Sequence, residues 1–550
     1  MESFSVEREI KRPLADFPAN IWDNPLIFFS ISDSGGDAYK EKHSALKGQV
    51  MEMLMASKAN PVESLKLIDV LCRLGVSYNF EKEIEDQLNT VFGIRDLNDT
   101  IGDEKYDLST VGIIFQVLRQ FGHKLSADVF ERFRDENGKF KENSGVDAKG
   151  MLSLYEAAHW STHGEDILDE ALIFSKSRLQ VLASKSSPHI RERIKNTLKH
   201  PYPRGITRIE TRQYISYYQE EVPHDETLLK FAKLDFNILQ LLHREELAYA
   251  TRWYKDLKTD CKVPYARNRI VECYLWALGT YFEPQYSRAR IIVAITIQLL
   301  TILDDTYDAY GTMEELELFT DALNRWLPTA PEELPDNMKY FYSILVDYYD
   351  KLEEEMEKEG RSGCGFHVKK SIKSLGSSYY QEAKWSNEDY IAMFDEYKEN
   401  GVFSNGYYST VATSFAGMTD VCKLDVYEWL SLQPKVLVAS EIITRFMDDI
   451  TSYEFEHKRK HVGTAIDCYM KQYGVSKEKA TEEIERIISE TWKDLNQELM
   501  RPYSMPRPIL IRILNLTRVI EVFYKYQDSY THPEFLKDYV VSLFTESIPV

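Results

Sequence analysis

The residues best equipped for chemistry stand in "LLTILDDTYDAYGT", residues 299–312, where an apolar run ends in the carboxylates Asp304, Asp305 and Asp308. Charge beside a core is costly unless something compensates it. Asp304 and Asp308 are four apart and share one face of a helix; Asp305 sits about 100° round from Asp304. Clustered carboxylates raise one another's pKa and repel unless a cation neutralises them. Ligands that are all oxygen suit Mg2+, which keeps several waters and takes one or two carboxylates plus substrate phosphate oxygens. Standing alone, the motif would read equally well as a solvated helix end.

It does not stand alone. In "VLVASEIITRFMDDITSYEFEHKRKHV", 436–462, an apolar helix again runs into acids. Asp448, Ser452 and Glu456 fall at i, i+4 and i+8, one helical stripe of oxygen ligands, with Asp449 beside them. An amphipathic surface helix fits poorly, because the residues just upstream are so apolar. Two acidic lips on two buried helices predict one cavity holding several Mg2+ ions. Arg267 and Arg269 lie in "YARNRIVECYLWALGTYFEPQY", and Arg445 precedes Asp448 by one turn. Guanidinium groups bind phosphate through paired hydrogen bonds. Singly each arginine reads as a surface ion pair; as a set with the acids they predict a diphosphate clamp.

DDTYD, DDITSYEFE as (N/D)DxxSxxxE, and RNR upstream of DDxxD resemble the motifs of plant class I terpene synthases. "RPLADFPANIW" is similar to their N-terminal RRx8W segment, here Arg12, Pro13 and Trp22. "ECYLWALGTYFEPQYSRAR", "EAKW" and "DSYTHP" are similar to stretches of angiosperm sesquiterpene synthases. The resemblance spans essentially the whole chain. It implies an all-α protein of two helical domains, a C-terminal class I terpenoid synthase fold and an N-terminal α-barrel relic without its own catalysis. The DxDD motif of class II cyclases is absent. The resemblance further implies that Asp304, Asp305 and Asp308 form the first metal helix, with Asp304 and Asp308 as direct ligands. Asp448, Ser452 and Glu456 would hold a third ion, and Arg267, Arg269 and Arg445 would trap the departing diphosphate. Trp276 would wall the pocket, and Tyr407, after "SNG" (404–406), would follow a kink in a lining helix. Tyr524, Asp528 and Tyr530 match a C-terminal lid. Three Mg2+ ions are expected, with Mn2+ as a substitute. Two departures stand out. Pro13 replaces the second arginine of the RR pair, which bears on substrate isomerisation. Lys460 stands where the family often has Gly, so the loop after Glu456 is expected to close differently.

The elements that must position these groups are helices. Leu65, Ile68, Leu71 and Leu74 recur at helical spacing, and Gly75 breaks the pattern. Gly122 and Gly164 break later windows in the same way, and Ser126 reads as an N-cap. The first half thus predicts antiparallel helix hairpins. The stretch 199–226 carries three prolines and a glycine, so we expect domains at 1–222 and 223–550, the second with longer, more apolar helices.

Bulk numbers narrow the function. At 550 residues the chain is too long for one core. A net charge of −21 argues against nucleic acid or an anionic membrane as main partner, but not against an anionic small substrate bridged by metal ions. Six scattered cysteines read as free thiols in a reducing compartment. "MESFSVEREIKRP" lacks an apolar core for a secretory signal and is too acidic for a transit peptide. The longest apolar stretch, 291–303, is shorter than the roughly 20 residues of a membrane span. A cytoplasmic monomer without a membrane span is the expectation.

Motifs and resemblance together imply a lyase: Mg2+-dependent ionisation and cyclisation of farnesyl diphosphate to a sesquiterpene. Geranyl diphosphate as substrate, or a linear product, is the runner-up; a non-catalytic helical scaffold comes last. Asp304, Asp308, Arg267, Arg269, Tyr524 and Asp528 are the expected catalytic set. His457 and His461, four apart, suggest a zinc pair but lack a third ligand. "EDILDE" (165–170) reads as acids at a helix start, where they meet the dipole favourably.

Overall fold

The computed structural model describes residues 12, 17–22, 36–93, 101, 105–141, 147–458 and 462–550. Among these, every regular element is a helix, apart from one isolated bridge between Arg134 and Phe140. The helices that matter below are α1 (Pro61–Arg73), α2 (Leu108–Gln120), α3 (Ala148–Ala158), α4 (Thr207–Glu220), α5 (Glu226–Asp256), α6 (Ile270–Thr280) and α7 (Ser287–Asp308). They continue as α8 (Met313–Arg325), α9 (Cys364–Asn387), α10 (Phe394–Ser404), α11 (Tyr407–Ser414), α12 (Lys435–Glu456), α13 (Ala465–Tyr473) and α14 (Arg507–Tyr524).

Local chemistry explains the boundaries. Asn60 caps α1 by accepting from the Val62 and Glu63 N–H groups, with Pro61 at the first helical position. The expected apolar stripe of Leu65, Ile68, Leu71 and Leu74 is buried, and Gly75 (φ +71) ends the helix. Ser126 caps a short 3-10 helix rather than an α-helix. The acids of "EDILDE" do sit at a helix start, and Glu165 also accepts from Arg119 Nη1 at 3.1 Å.

The middle of the N-terminal half is filled by buried charge. Arg73 meets Asp69 at 2.8 Å and Glu156 at 2.6 Å, and Arg193 meets Glu210 at 2.5 Å and Glu156 at 3.1 Å. These pairs draw on α1, α3, α4 and the Pro188–Lys199 helix, so they lock the hairpins into one register. Half of the proline-bearing stretch 199–226 is helix α4 rather than open linker. We propose to divide the chain at 222/223, in the turn between α4 and α5. The halves are tied further along by Asn496 Nδ2, which donates to the His159 and Ser161 carbonyls at 2.9 Å, and by Arg518 Nε, which donates to Pro203 O at 2.8 Å.

In the C-terminal half α7 is the central strut, packed by α5, α6, α9 and α11. The most apolar 18-residue window of helix Pro284–Asp308 has mean hydropathy 1.4, enough to cross a membrane by length and composition, but 72% of that window is buried inside the bundle. It is a core helix. Near its start Arg290 makes a bidentate pair with Glu246 of α5 (2.7 and 2.7 Å), and Tyr274 of α6 donates to the same carboxylate at 2.6 Å. Asp304 lies about 21 Å further along, at 1.5 Å per residue. One end of α7 is thus clamped by ions while the other carries the acids.

Candidate active site

The acids of α7 and α12 occupy the last turns of their helices, and neither last turn carries a basic residue. The helix dipole favours cations there and disfavours acids. Both helices therefore end in an electrostatic debt that a cation cancels. They face one cavity of 810 Å3, lined by Asp304 and Asp308 on one side and by Asp448, Ser452 and Glu456 on the other. That size lies within the roughly 300–1,000 Å3 of small-ligand sites. Burial, together with the neighbouring charges of Glu456 and Asp528, pushes the Asp448 carboxyl well above the usual carboxylate range, against Arg445. Among the described residues no three acidic, histidine or cysteine side chains converge into a ready-made cage. Each lip offers one or two carboxylates, the number Mg2+ takes when waters and phosphate oxygens complete its shell. The donor set thus fits Mg2+.

The arginines divide. Arg445 lines the cavity, and so does Arg267, whose Nη2 reaches Asp304 at 2.7 Å and Asp305 at 2.8 Å. Arg269 does not line it. Its Nε donates to Tyr530 O at 3.0 Å, and its Nη2 donates to Pro18 O at 2.7 Å and Thr531 O at 3.1 Å. The expected diphosphate contact of Arg269 is therefore corrected: its donors are spent on backbone carbonyls. Asp305 needs a correction too. It is fully buried behind the wall, where it accepts the Arg267 backbone N–H at 2.7 Å. Asp305 holds the arginine rather than facing a metal, as its angular offset from Asp304 and Asp308 requires.

The apolar part of the cavity is aromatic. Trp276 of α6 packs edge-on to Tyr530 (5.7 Å, 86°) and Tyr407 (6.3 Å, 83°), and it packs on Phe523 at 4.5 Å. The Tyr530 hydroxyl is tied to Thr301 and to Cys273 Sγ at 3.4 Å, so it turns its ring to the pocket. Tyr524 ends α14, and Asp528 accepts the Tyr530 and Thr531 N–H groups at 3.0 and 2.9 Å. The break at "SNG" is present. Gly406 (φ +77) takes a left-handed conformation that favours glycine, and Asn405 Nδ2 donates to the freed Gly401 and Val402 carbonyls at 3.0 and 2.9 Å.

Other groups at the cavity had no site role assigned from the sequence, although Arg12 and Trp22 belong to the RRx8W-like segment. Arg12 grips Glu315 with two hydrogen bonds (2.8 and 2.9 Å) and stacks over Tyr310 at 3.9 Å, while Phe17 lies under Arg267 at 4.1 Å. Trp22 Nε1 donates to Glu272 at 2.6 Å. Residues 12 and 17–22 thus lie at the mouth as a strap. Glu382 of α9 lines the wall with Tyr379 and Ser386. Their i, i+3, i+7 spacing was the available signal. Pro13, Lys460 and His461 lie outside the described residues. His457 pairs with Asp467 at 3.1 Å.

One buried acid stands apart. Glu441, on α12, is fully buried and neither carboxyl oxygen has a hydrogen-bond partner among the described residues. Burial holds its carboxyl well above the usual range; the nearby Tyr408 backbone N–H pulls the other way without closing a full hydrogen bond. A folded-state pKa raised above the unfolded value means that folding loses stability as pH climbs past the ordinary carboxyl range. Glu441→Met should therefore stabilise the protein by about 1–3 kcal/mol, an unsatisfied buried polar group being removed. The gain should be largest near pH 8 and smallest near pH 5, read from denaturation midpoints at both; no gain, or the reverse trend, would mean the carboxyl is satisfied.

Fold and site together describe an all-helical, metal-binding enzyme built around a diphosphate-sized acidic mouth and an aromatic pocket. Family models agree: the terpene synthase N-terminal domain matches residues 21–198, and the terpene synthase metal-binding domain matches 255–494. The chain is 64% identical over 98% of its length, and 100% of the relative's, to alpha-humulene/(-)-(E)-beta-caryophyllene synthase of Arabidopsis thaliana. It is 44% identical to a hedycaryol synthase of Camellia brevistyla, over 98% of both chains. Among solved structures, isoprene synthase from grey poplar (Populus x canescens), in complex with three Mg2+ ions and dimethylallyl-S-thiolodiphosphate, superposes with TM-score 0.86 at 32% identity, covering 93% of this chain and 98% of that one. A limonene synthase with 2-fluorolinalyl diphosphate gives 0.87 at 27% identity, covering 98% and 100%. The chain belongs to the terpene synthase family. It is an enzyme, a terpene cyclase of the carbon–oxygen lyase type.

Proposed function

We propose that this enzyme ionises farnesyl diphosphate and cyclises the resulting cation to a sesquiterpene, acting as a monomer in the cytoplasm. The carrying observation is that two helices end in acids across one cavity whose deeper walls are aromatic. Bound Mg2+, three ions with Mn2+ as substitute, would supply Lewis-acid charge to the leaving diphosphate. Asp304 and Asp308 would hold metal on one lip, and Asp448, Ser452 and Glu456 on the other. Arg267 and Arg445 would bind the diphosphate oxygens. Trp276, Tyr407 and Tyr530 would face the allylic cation; aromatic faces stabilise a cation by about 0.5–2 kcal/mol each. The Arg12 strap and the Tyr524–Tyr530 segment would exclude water that would otherwise quench the cation. The C15 products named for the plant relatives support farnesyl diphosphate. Five of the six free cysteines are buried, which suits a reducing compartment.

The test is direct. Purified protein is incubated with Mg2+ and, separately, geranyl, farnesyl and geranylgeranyl diphosphates, and an organic overlay is read by gas chromatography–mass spectrometry. A C15 hydrocarbon or alcohol from farnesyl diphosphate, lost with EDTA, is expected. A C10 product dominating would replace farnesyl with geranyl diphosphate, and no volatile from folded protein would overturn the reading.

A further inference from the structure

We propose that Tyr397 and Asp449 are positioning residues for Arg445, orienting its guanidinium toward the diphosphate end of the cavity. The inference rests on reading that end as a diphosphate site. Arg445 lines the cavity, whereas Tyr397 and Asp449 are fully buried and lie behind it. The Tyr397 hydroxyl donates to the two Asp449 oxygens at 3.0 and 2.8 Å and accepts from Arg445 Nε at 2.7 Å. Arg445 Nε also lies 3.1 Å from Asp449 Oδ1. The joint therefore uses Nε, and the two Nη groups of Arg445 make no hydrogen bond among the described residues.

This is how an arginine is pre-aimed. A guanidinium is a rigid plane of five donors. Fixing Nε fixes the plane in which the four Nη hydrogens point, which is what paired recognition of phosphate oxygens needs. A long side chain already held in place loses less freedom when ligand arrives. The joint reaches beyond one helix. Tyr397 belongs to α10, whose C-terminal end at Ser404 forms part of the cavity wall, and Asp449 also accepts the Ala465 N–H at the start of α13 (2.9 Å). Gly401, one turn after Tyr397, makes room for the arginine stem: a Cβ there would sit 3.3 Å from Arg445 Cγ. Asp449 thus does for Arg445 what Asp305 does for Arg267. The second aspartate of each acidic motif faces away from the cavity and anchors an arginine that faces into it.

The probe is inorganic diphosphate in excess Mg2+, its affinity measured by calorimetry for wild type, Tyr397→Phe, Arg445→Ala and the double variant. Tyr397→Phe keeps the ring and the Asp449–Arg445 ion pair, so the protein should stay folded, its melting temperature lowered by no more than the loss of a buried hydroxyl's hydrogen bonds explains. Its diphosphate affinity should fall roughly tenfold, the scale of one charge-assisted hydrogen bond, and KM for the prenyl substrate should rise with it. In the Arg445→Ala background the same change should cost nothing, because Tyr397 acts through the arginine. Asp449→Asn and Gly401→Ala should weaken diphosphate in the same Arg445-dependent way. Wild-type affinity in Tyr397→Phe, or losses that add in the double variant, would overturn the inference while leaving the diphosphate site standing. Failure of the wild type to bind diphosphate would remove both.

Discussion

Asp304→Ala is expected to cut product formation by at least roughly a hundredfold, because a metal-bound oxygen supplies several kcal/mol of charge stabilisation and each 1.4 kcal/mol is tenfold in rate. Far-UV circular dichroism and melting should barely change. The Asp304 side chain is 36% exposed, and Arg267 keeps its 2.8 Å contact with Asp305 when Asp304 is gone. Raised Mg2+ should recover part of the loss, since the defect lies in holding the ion. Turnover at the wild-type rate would remove this carboxylate, and with it the α7 lip, from the reaction.

Asp305→Ala, one residue along, should fail differently. Its carboxylate is fully buried, accepts the Arg267 backbone N–H at 2.7 Å and pairs with Nη2. Removing one partner of a buried ion pair typically costs about 3–5 kcal/mol, because the other charge stays behind uncompensated. We expect a clear drop in the denaturation midpoint, with activity falling alongside stability. Asp305→Asn keeps an acceptor for the backbone N–H and should lose less. An Asp305→Ala protein as stable as wild type but needing far more Mg2+ would restore Asp305 as a metal ligand.

The contrast between these neighbours shows what a linear reading can and cannot reach. Helical period alone puts Asp304 and Asp308 on one face and Asp448, Ser452 and Glu456 on another, and the cavity holds all five. The same period placed Asp305 off that face, but only packing says what lies there. Arg267 and Arg269 precede the start of α6 in non-helical backbone, so no periodicity assigns their sides. One enters the cavity and the other binds three carbonyls from distant parts of the chain. Tyr397 and Asp449 are 52 residues apart on different helices, and nothing local joins them. The helix hairpins of the first half were legible because caps and glycine breaks are local. The buried Arg73–Glu156–Arg193–Glu210 cluster was not, since each charged residue by itself reads as surface.

Arg269 carries a consequence for biosynthesis. Its guanidinium holds Pro18 O from the strap and Tyr530 O and Thr531 O from the segment after α14, across sequence separations of 251, 261 and 262 residues. The roof over the cavity is therefore joined from stretches that are far apart in the order of synthesis. Domains fold in order of emergence at about 5–20 residues per second, so the α7 acids are synthesised well before Tyr530 exists to cover them. A nascent chain lacking that segment would present an open, wet basin, and the catalyst would be armed only once Tyr530 and Thr531 have been made and can reach Arg269.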